Sequence, residues 1–327
     1  MTTMLSRMAL LAIILTAGFI SNDAAAQTYP TRPLTMVIPF AAGGSPDVIG
    51  RVVSEELGKA LGQNVIIENR GGAGGNIAAQ HVLEQPADGY TLFFGTSGNM
   101  ATNKVLYRRL KFDPEADFIP LSTAYASCNV LIVPANGPLQ SIPALVAEAK
   151  RRPGALSFGS PGVGTAGHLI GELFKSRAGV DLVHVPYRGQ AQVINDLLGG
   201  HLSLSFEAVA TAIPVVQSGR MKGLASTCLQ RVPQLPDVPI FAEVGIQDFA
   251  QEALVIVAVR TGTPPAIAAR LSETIQKIVQ SPEVTRRISG MGLIPKSSTS
   301  AQAKALLSAE VARWRVVVEA AKIPPLD

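Results

Sequence analysis

The stretch Leu34-Thr35-Met36-Val37-Ile38-Pro39-Phe40-Ala41-Ala42-Gly43-Gly44-Ser45-Pro46-Asp47 decides the fold class. Leu34 to Phe40 is a short apolar run of the kind that forms a buried strand. Small residues follow, and Ser45 with Pro46 marks a helix start. A serine oxygen can accept from the free N–H groups of a first turn, and proline at the first helical position gives up an N–H that would lack a partner anyway. Val48, Val52, Leu57 and Leu61 then recur at helical spacing and predict a helix over 47–61. Strand, small-residue loop and helix form the repeating unit of an α/β domain.

The unit recurs along the chain. A strand over 64–68 enters the turn Gly71-Gly72-Ala73-Gly74-Gly75, a helix follows through Leu83, and Tyr90 to Phe94 predicts a third strand. After Cys128 the pattern starts again with a strand over 130–133, a helix over 143–150 and a strand over 156–159. The loop Ser160-Pro161-Gly162-Val163-Gly164-Thr165-Ala166-Gly167 then opens a helix at His168. Segments 180–185, 190–198, 202–206 and 224–227 continue the alternation. A strand over 254–259 precedes a helix start at Pro264-Pro265 and two amphipathic helices, the latter holding the only tryptophan, Trp314. A length of 327 residues suits about two domains of roughly 150 each. The expectation is two α/β lobes, each a mixed, mainly parallel sheet flanked by helices.

Residues 1–26 combine Arg7, an apolar run from Met8 to Ile20 and Ala24-Ala25-Ala26, the three parts of a secretory signal peptide. The apolar run falls short of the roughly 20 residues that span a bilayer. A mature chain from Gln27, soluble in the periplasm, is expected. With 47% hydrophobic and 16% charged residues the chain can build a sizeable core, which excludes disorder. A net charge of +4 is mild, and Arg108, Arg109 and Lys111 or Lys150 to Arg152 form no basic stripe, so no nucleic-acid partner is expected.

Catalytic and metal motifs are missing. His81, His168, His184 and His201 stand singly, without the spacing that puts two imidazoles on one helix face. Ser97, in Gly95-Thr96-Ser97-Gly98-Asn99, is out of register for a nucleophile elbow. Neither glycine-rich loop has a dinucleotide or P-loop register, so no enzyme activity, cofactor or metal is expected. Cys128 and Cys228 lie in no C-x-x-C pair, which argues against a thiolate metal site and a disulfide scaffold. Two free, buried thiols are expected, because a bond would need Cα atoms within about 7 Å. Two helix N-termini facing each other across a cleft would offer converging N–H groups to an anion. Glu207, after the apolar 202–206 strand, reads as either a cleft-facing polar group or a solvated strand end.

Several motifs together resemble the Bug-type extracytoplasmic solute receptors, the binding proteins of tripartite tricarboxylate transporters. They are Tyr29-Pro30-Thr31-Arg32-Pro33, Val37 to Gly44 with Asp47 and Arg51, Glu68 to Ile77, and Ala87 to Leu92. They continue through Gly159 to Leu169, Val183 to Gly189, Leu235 to Pro239, Gly262 to Pro265 and Arg313-Trp314. The resemblance implies a two-lobed periplasmic-binding-protein fold of type II with the ligand in the interlobe cleft. Lobe one would be 27–127 plus 250–327 and lobe two 128–249. It also implies a small organic anion as ligand: a di- or tricarboxylate, an acidic amino acid or an aromatic carboxylate. A monomer would deliver it to a cognate membrane permease; the alternatives are presentation to a sensor protein, or a periplasmic enzyme on the same scaffold.

Contact is expected from Phe40 and from the first loop, through Ala41, Ala42, Gly43, Gly44, Ser45 and Asp47. The second loop would contribute Ser160, Gly162, Gly164, Thr165 and His168, with Ser97 and Glu207 completing the set. Where relatives usually read Gly-Gly-Pro-Thr-Asp, this chain has Gly44-Ser45-Pro46-Asp47. Leu254 and Ile256 replace a common aromatic and glycine, and Arg260 replaces a proline.

Overall fold

The computed structural model describes residues 29–320 and 323–326, so the signal-peptide reading of 1–26 lies outside the described residues. The strands β1 (Leu34–Ile38), β2 (Val65–Asn69), β3 (Thr91–Thr96) and β4 (Phe118–Ser127) build a first sheet. The chain then lays down β5 (Asn129–Pro134), β6 (Ser157–Ser160), β7 (Val183–Pro186), β8 (Leu204–Ala208) and β9 (Met221–Ser226) as a second. It returns to the first sheet with β10 (Ala253–Arg260) and β11 (Ile294–Pro295). The strand orders are β11-β4-β10-β3-β1-β2 and β7-β6-β8-β5-β9.

Among the described strands, β1 pairs parallel with β2 and β3, and β6 with β7 and β8. The remaining pairs are antiparallel, so the sheets are mixed rather than mainly parallel. The cause is the double crossing between sheets: β4 leads out of the first sheet, β10 leads back in, and they pair antiparallel over eight register positions from Ala253 to Arg260.

Helices α1 (Ser45–Leu61), α2 (Asn76–Glu84), α3 (Asn103–Leu106) and α4 (Pro114–Asp117) precede the crossing. Helices α5 (Ile142–Arg151), α6 (Ala166–Ala178), α7 (Gln190–Leu198) and α8 (Val209–Gln217) flank the second sheet, and α9 (Pro265–Gln280), α10 (Pro282–Gly290) and α11 (Ser300–Ala320) end the chain. The periodic face of α1 buries Ile49, Val53 and Leu57 against Leu34, Met36 and Ile38 of β1. Apolar burial of this kind contributes about 1.5–3 kcal/mol per large side chain.

Three sequence expectations need correction. Helix α1 starts at Ser45 with Gly44 in the extended N-cap position, because Val48 N–H already bonds Gly44 O at 3.0 Å. Helix α6 starts at Ala166, two residues before His168. The cysteines are joined: Cys128 and Cys228 form a disulfide, with Cα atoms 5.1 Å apart. They sit at the end of β4 and just past β9, where antiparallel pairing of β5 with β9 brings the two crossing segments side by side.

Candidate functional site

The carboxyl ends of β1 and β3, and of β6 and β8, carry the loops expected to bind ligand, the usual ligand position in open α/β sheets. The first loop is a tied bridge between β1 and α1. Asp47 is 4% exposed. Its Oδ2 accepts from Gly43 N–H at 3.0 Å, and Arg51 Nη2 and Asn69 Nδ2 both donate to its Oδ1 at 3.0 Å. Burial pushes this carboxyl up, but the Arg51 guanidinium, the Gly43 N–H and the Asn69 amide outweigh it and hold the group below the usual range. Asn69 also donates to Phe40 O at 3.0 Å, so both ends of the loop are fixed to β2. Asp47 thus shapes the loop rather than presenting its own charge. The apex, Ala41 to Gly43, is exposed, and Gly44 and Ser45 are half-buried.

The second loop is wrapped on itself. Thr165 Oγ1 donates to Gly162 O at 2.6 Å, and Gly164 N–H donates to His168 Nδ1 at 3.2 Å. Ser160 Oγ lies 3.0 Å from Gly162 O and 2.7 Å from His184 Nε2. The rings of His168 and His184 lie with centroids 4.1 Å apart, tilted by 30°. Burial, reinforced by Lys175, pushes His168 down to about 4. Burial, then His168 and Lys175, push His184 down to about 3, so both rings are neutral at neutral pH. Leu169 N–H makes the first helical bond, to Thr165 O at 3.0 Å. The N–H groups of Ala166, Gly167 and His168 therefore lie outside the α6 ladder, at the positive end of its dipole.

A cavity of about 100 Å³ lies between the lobes. Lobe one lines it with Phe40, Gly74 and Thr96 to Gly98; lobe two with Gly164, Thr165 and Ala166; the return crossing with Gln251 to Ala253; and α11 with Glu310, Arg313 and Trp314. Of the expected set, Phe40, Ser97, Gly164 and Thr165 meet here. Ala41 to Ser45, Asp47, Ser160, Gly162, His168 and Glu207 do not line it. Glu207 is not a solvated strand end: it is fully buried on β8. Leu106, Leu169 and Trp314 pack across the seam beside the cavity. A shallower groove of about 460 Å³ along α11, lined by Lys296 to Ser298 and Ala305, holds none of the expected residues.

Sequence reading missed Gln251 and the α11 wall. Arg313-Trp314 stood out as a motif, but nothing in the sequence placed it 150 residues away at Gly164. Among the described residues no group of three or more His, Cys, Asp or Glu could hold a metal.

A model of the tripartite tricarboxylate transporter family receptor matches residues 49–323. Protein BugT of Bordetella pertussis is 33% identical over 312 residues, covering 95% of this chain and 96% of that protein. Rpa4515 of R. palustris, solved with adipate, is 36% identical with a TM-score of 0.87, over 91% of this chain and 100% of that one. MatC of Rhodopseudomonas palustris, solved with bound malate, is 27% identical with a TM-score of 0.83, over 89% and 100%. The chain belongs to the tripartite tricarboxylate transporter receptor family.

Proposed function

We propose that this receptor captures a small organic carboxylate between its lobes and hands it to a membrane permease, working in the periplasm after export. Its lobes are taken as 27–127 with 250–327, and 128–249. The observation that carries the ligand class is the α6 N-terminus opening onto the interlobe cavity, with Gly164 to Ala166 on its wall. Unladdered N–H groups at a helix start suit an anion, and each charge-assisted bond contributes about 1.5–3 kcal/mol. The first loop, tied by Asp47 and Asn69, offers a second helix start from lobe one. The adipate and malate bound by the solved relatives fit this class.

A chemical step is not part of the proposal. Ser160 and His184 approach as a nucleophile and base would, but Ser160 is fully buried. Among the described residues no carboxylate bonds His184 to orient it. Trp314 is the only tryptophan and lines the cavity, so titration of its fluorescence with dicarboxylates reads occupancy directly. A saturable change with a matching rise in melting temperature is expected. No response to any carboxylate overturns the reading, and conversion of the bound acid would show an enzyme instead.

A further inference from the structure

Four hydroxyl-bearing residues line the interlobe cavity, Thr96, Ser97, Thr102 and Thr165, and they differ in what they can still give. Thr165 donates its hydrogen to Gly162 O at 2.6 Å, and Thr102 donates its own to Ser97 O at 3.2 Å. Ser97 is 4% exposed, and its Oγ accepts from Leu254 N–H at 3.2 Å. Thr96, at the carboxyl end of β3, is half-buried.

The hydroxyl of Thr96 is held as a donor by a residue behind it. Asn99 is fully buried and bonds Thr96 twice: its Oδ1 accepts from Thr96 N–H at 3.0 Å, and its Nδ2 donates to Thr96 Oγ1 at 3.1 Å. A backbone N–H can only donate, so it fixes which way round the amide sits, and the amide nitrogen left facing Oγ1 cannot accept. Thr96 Oγ1 is therefore the acceptor of that pair and keeps its own hydrogen, which among the described residues it gives to no protein atom.

This oxygen borders the gap between the sheets. Thr96, Gly98 and Gly164 line the same cavity. A Cβ on Gly98 would lie 3.2 Å from Thr96 Oγ1 and 3.8 Å from Gly164 O, so the bare side of Gly98 faces the hydroxyl from the first sheet and the loop from the second together. Thr165 and Ala166, at the start of α6, stand on the same wall as Gly164.

Resting on the carboxylate-receptor reading, we infer that Thr96 donates its hydroxyl hydrogen to the carboxylate held at the α6 N-terminus, with Asn99 as the positioning residue that turns the hydroxyl outward. One carboxylate oxygen takes the α6 N–H groups and the other takes Thr96, so the anion itself ties the two lobes together. The first sheet then contributes a neutral donor from the end of β3, and no cation is needed there.

The test measures affinity for adipate, malate and succinate by calorimetry. Thr96→Val should lose about tenfold or more for each acid that binds the wild type, and Thr96→Ser should stay within about twofold of it. Valine also takes from Asn99 Nδ2 its acceptor, so a second variant is needed that leaves this pair intact. Gly98→Ala does so: Gly98 is not in the left-handed region, and the added methyl covers the open side of the Thr96 hydroxyl. It should weaken binding by about threefold or more. A folded Thr96→Val protein that binds as wild type overturns the role of Thr96. Equal losses in the valine and serine variants, or a valine loss beside an unaffected Gly98→Ala, overturn it too, since packing or the support of Asn99 would then be its task. These outcomes leave the receptor reading standing, whereas no binding of any carboxylate by the wild type overturns both. If the valine variant does not fold, Thr96→Ser and Gly98→Ala decide: wild-type affinity in the first with a loss in the second supports the contact, and any other pairing overturns it.

Discussion

The Ser205 hydroxyl oxygen lies 2.6 Å from Glu207 Oε1 and 3.0 Å from Gly159 O, and its one hydrogen cannot serve both. The arrangement closes if Glu207 is protonated: the carboxyl donates to Ser205, and Ser205 donates to Gly159 O on the neighbouring strand β6. Burial works the same way, pushing the Glu207 carboxyl up to about 7 against the weaker opposing pull of the Ser205 bond. A neutral acid thus joins two strands that end at the interlobe edge.

This gives stability a definite pH slope. Between about 4.5 and 7 the folded protein keeps a proton that the unfolded chain has lost, so the Glu207 contribution falls as pH rises through that window. Glu207→Gln stays neutral throughout. It should be more stable than wild type by about 2–3 kcal/mol at pH 8, with the difference vanishing near pH 4. Urea melts at the two pH values check this, and a pH-independent difference would show that Glu207 is ionised in the native state.

The Cys128–Cys228 bridge closes a loop of 100 positions that contains the whole second sheet. A cross-link over such a loop stabilises by about 4.7 kcal/mol in the chain-entropy picture. The double variant Cys128→Ala, Cys228→Ala should lose about 4–5 kcal/mol in urea unfolding. Alkylation of the denatured, unreduced wild type should add no mass. Two adducts would mean that the thiols are free.

The legible parts of the fold were those written locally. Apolar runs placed β1, β6 and β10, and the Pro264-Pro265 pair placed the start of α9 within a residue. Strand β4 was not legible: Pro120, Ser122 and Thr123 interrupt its apolar pattern, yet it lies beside β10 and is buried on both faces. The disulfide escaped because its proximity comes from β5–β9 pairing, which no spacing rule encodes. At the site, the helix starts were readable to within one or two residues, but internal bonding of their loops was not. Thr165 reads from the sequence as a ligand contact, but its hydroxyl hydrogen is spent on Gly162 O, 2.6 Å away. The cavity draws on segments near 97, 165, 252 and 313, which only the folded chain brings together.

Thr227 ties together the two crossings between the sheets. Fully buried, it bonds Asn129 and Gln251 on the two crossings: Asn129 N–H donates to its Oγ1 at 2.9 Å, and its Oγ1 donates to Gln251 O at 2.8 Å. Thr227→Val keeps the shape and strands both partners in a dry site. The expected loss is about 2–4 kcal/mol, from two unmet groups at about 1–3 each with partial relaxation. Hydrogen exchange should rise at Asn129 before it rises in the β1 core. An unchanged unfolding midpoint would show that water takes over both bonds.

Thr165 separates direct from indirect ligand contact. Its hydroxyl hydrogen is given to Gly162 O, so it has none to offer a carboxylate, and its removal should act by loosening the loop that presents the α6 N–H groups. Thr165→Ala is expected to cost about 1 kcal/mol of stability and, through the looser loop, about fivefold in ligand affinity. Thr165→Ser should restore both. Added bulk at Gly164 is a poorer probe: its φ is +80°, and a Cβ would sit 3.2 Å from Asn103 Oδ1, so the backbone itself would be strained. Trp314 fluorescence titration and hydrogen exchange over 161–166, measured on the alanine and serine variants together, give the answer. Affinity lost in the alanine variant with exchange and unfolding midpoint unchanged would mean that the hydroxyl turns to the ligand when it binds. Affinity and exchange moving together identify the loop as the determinant.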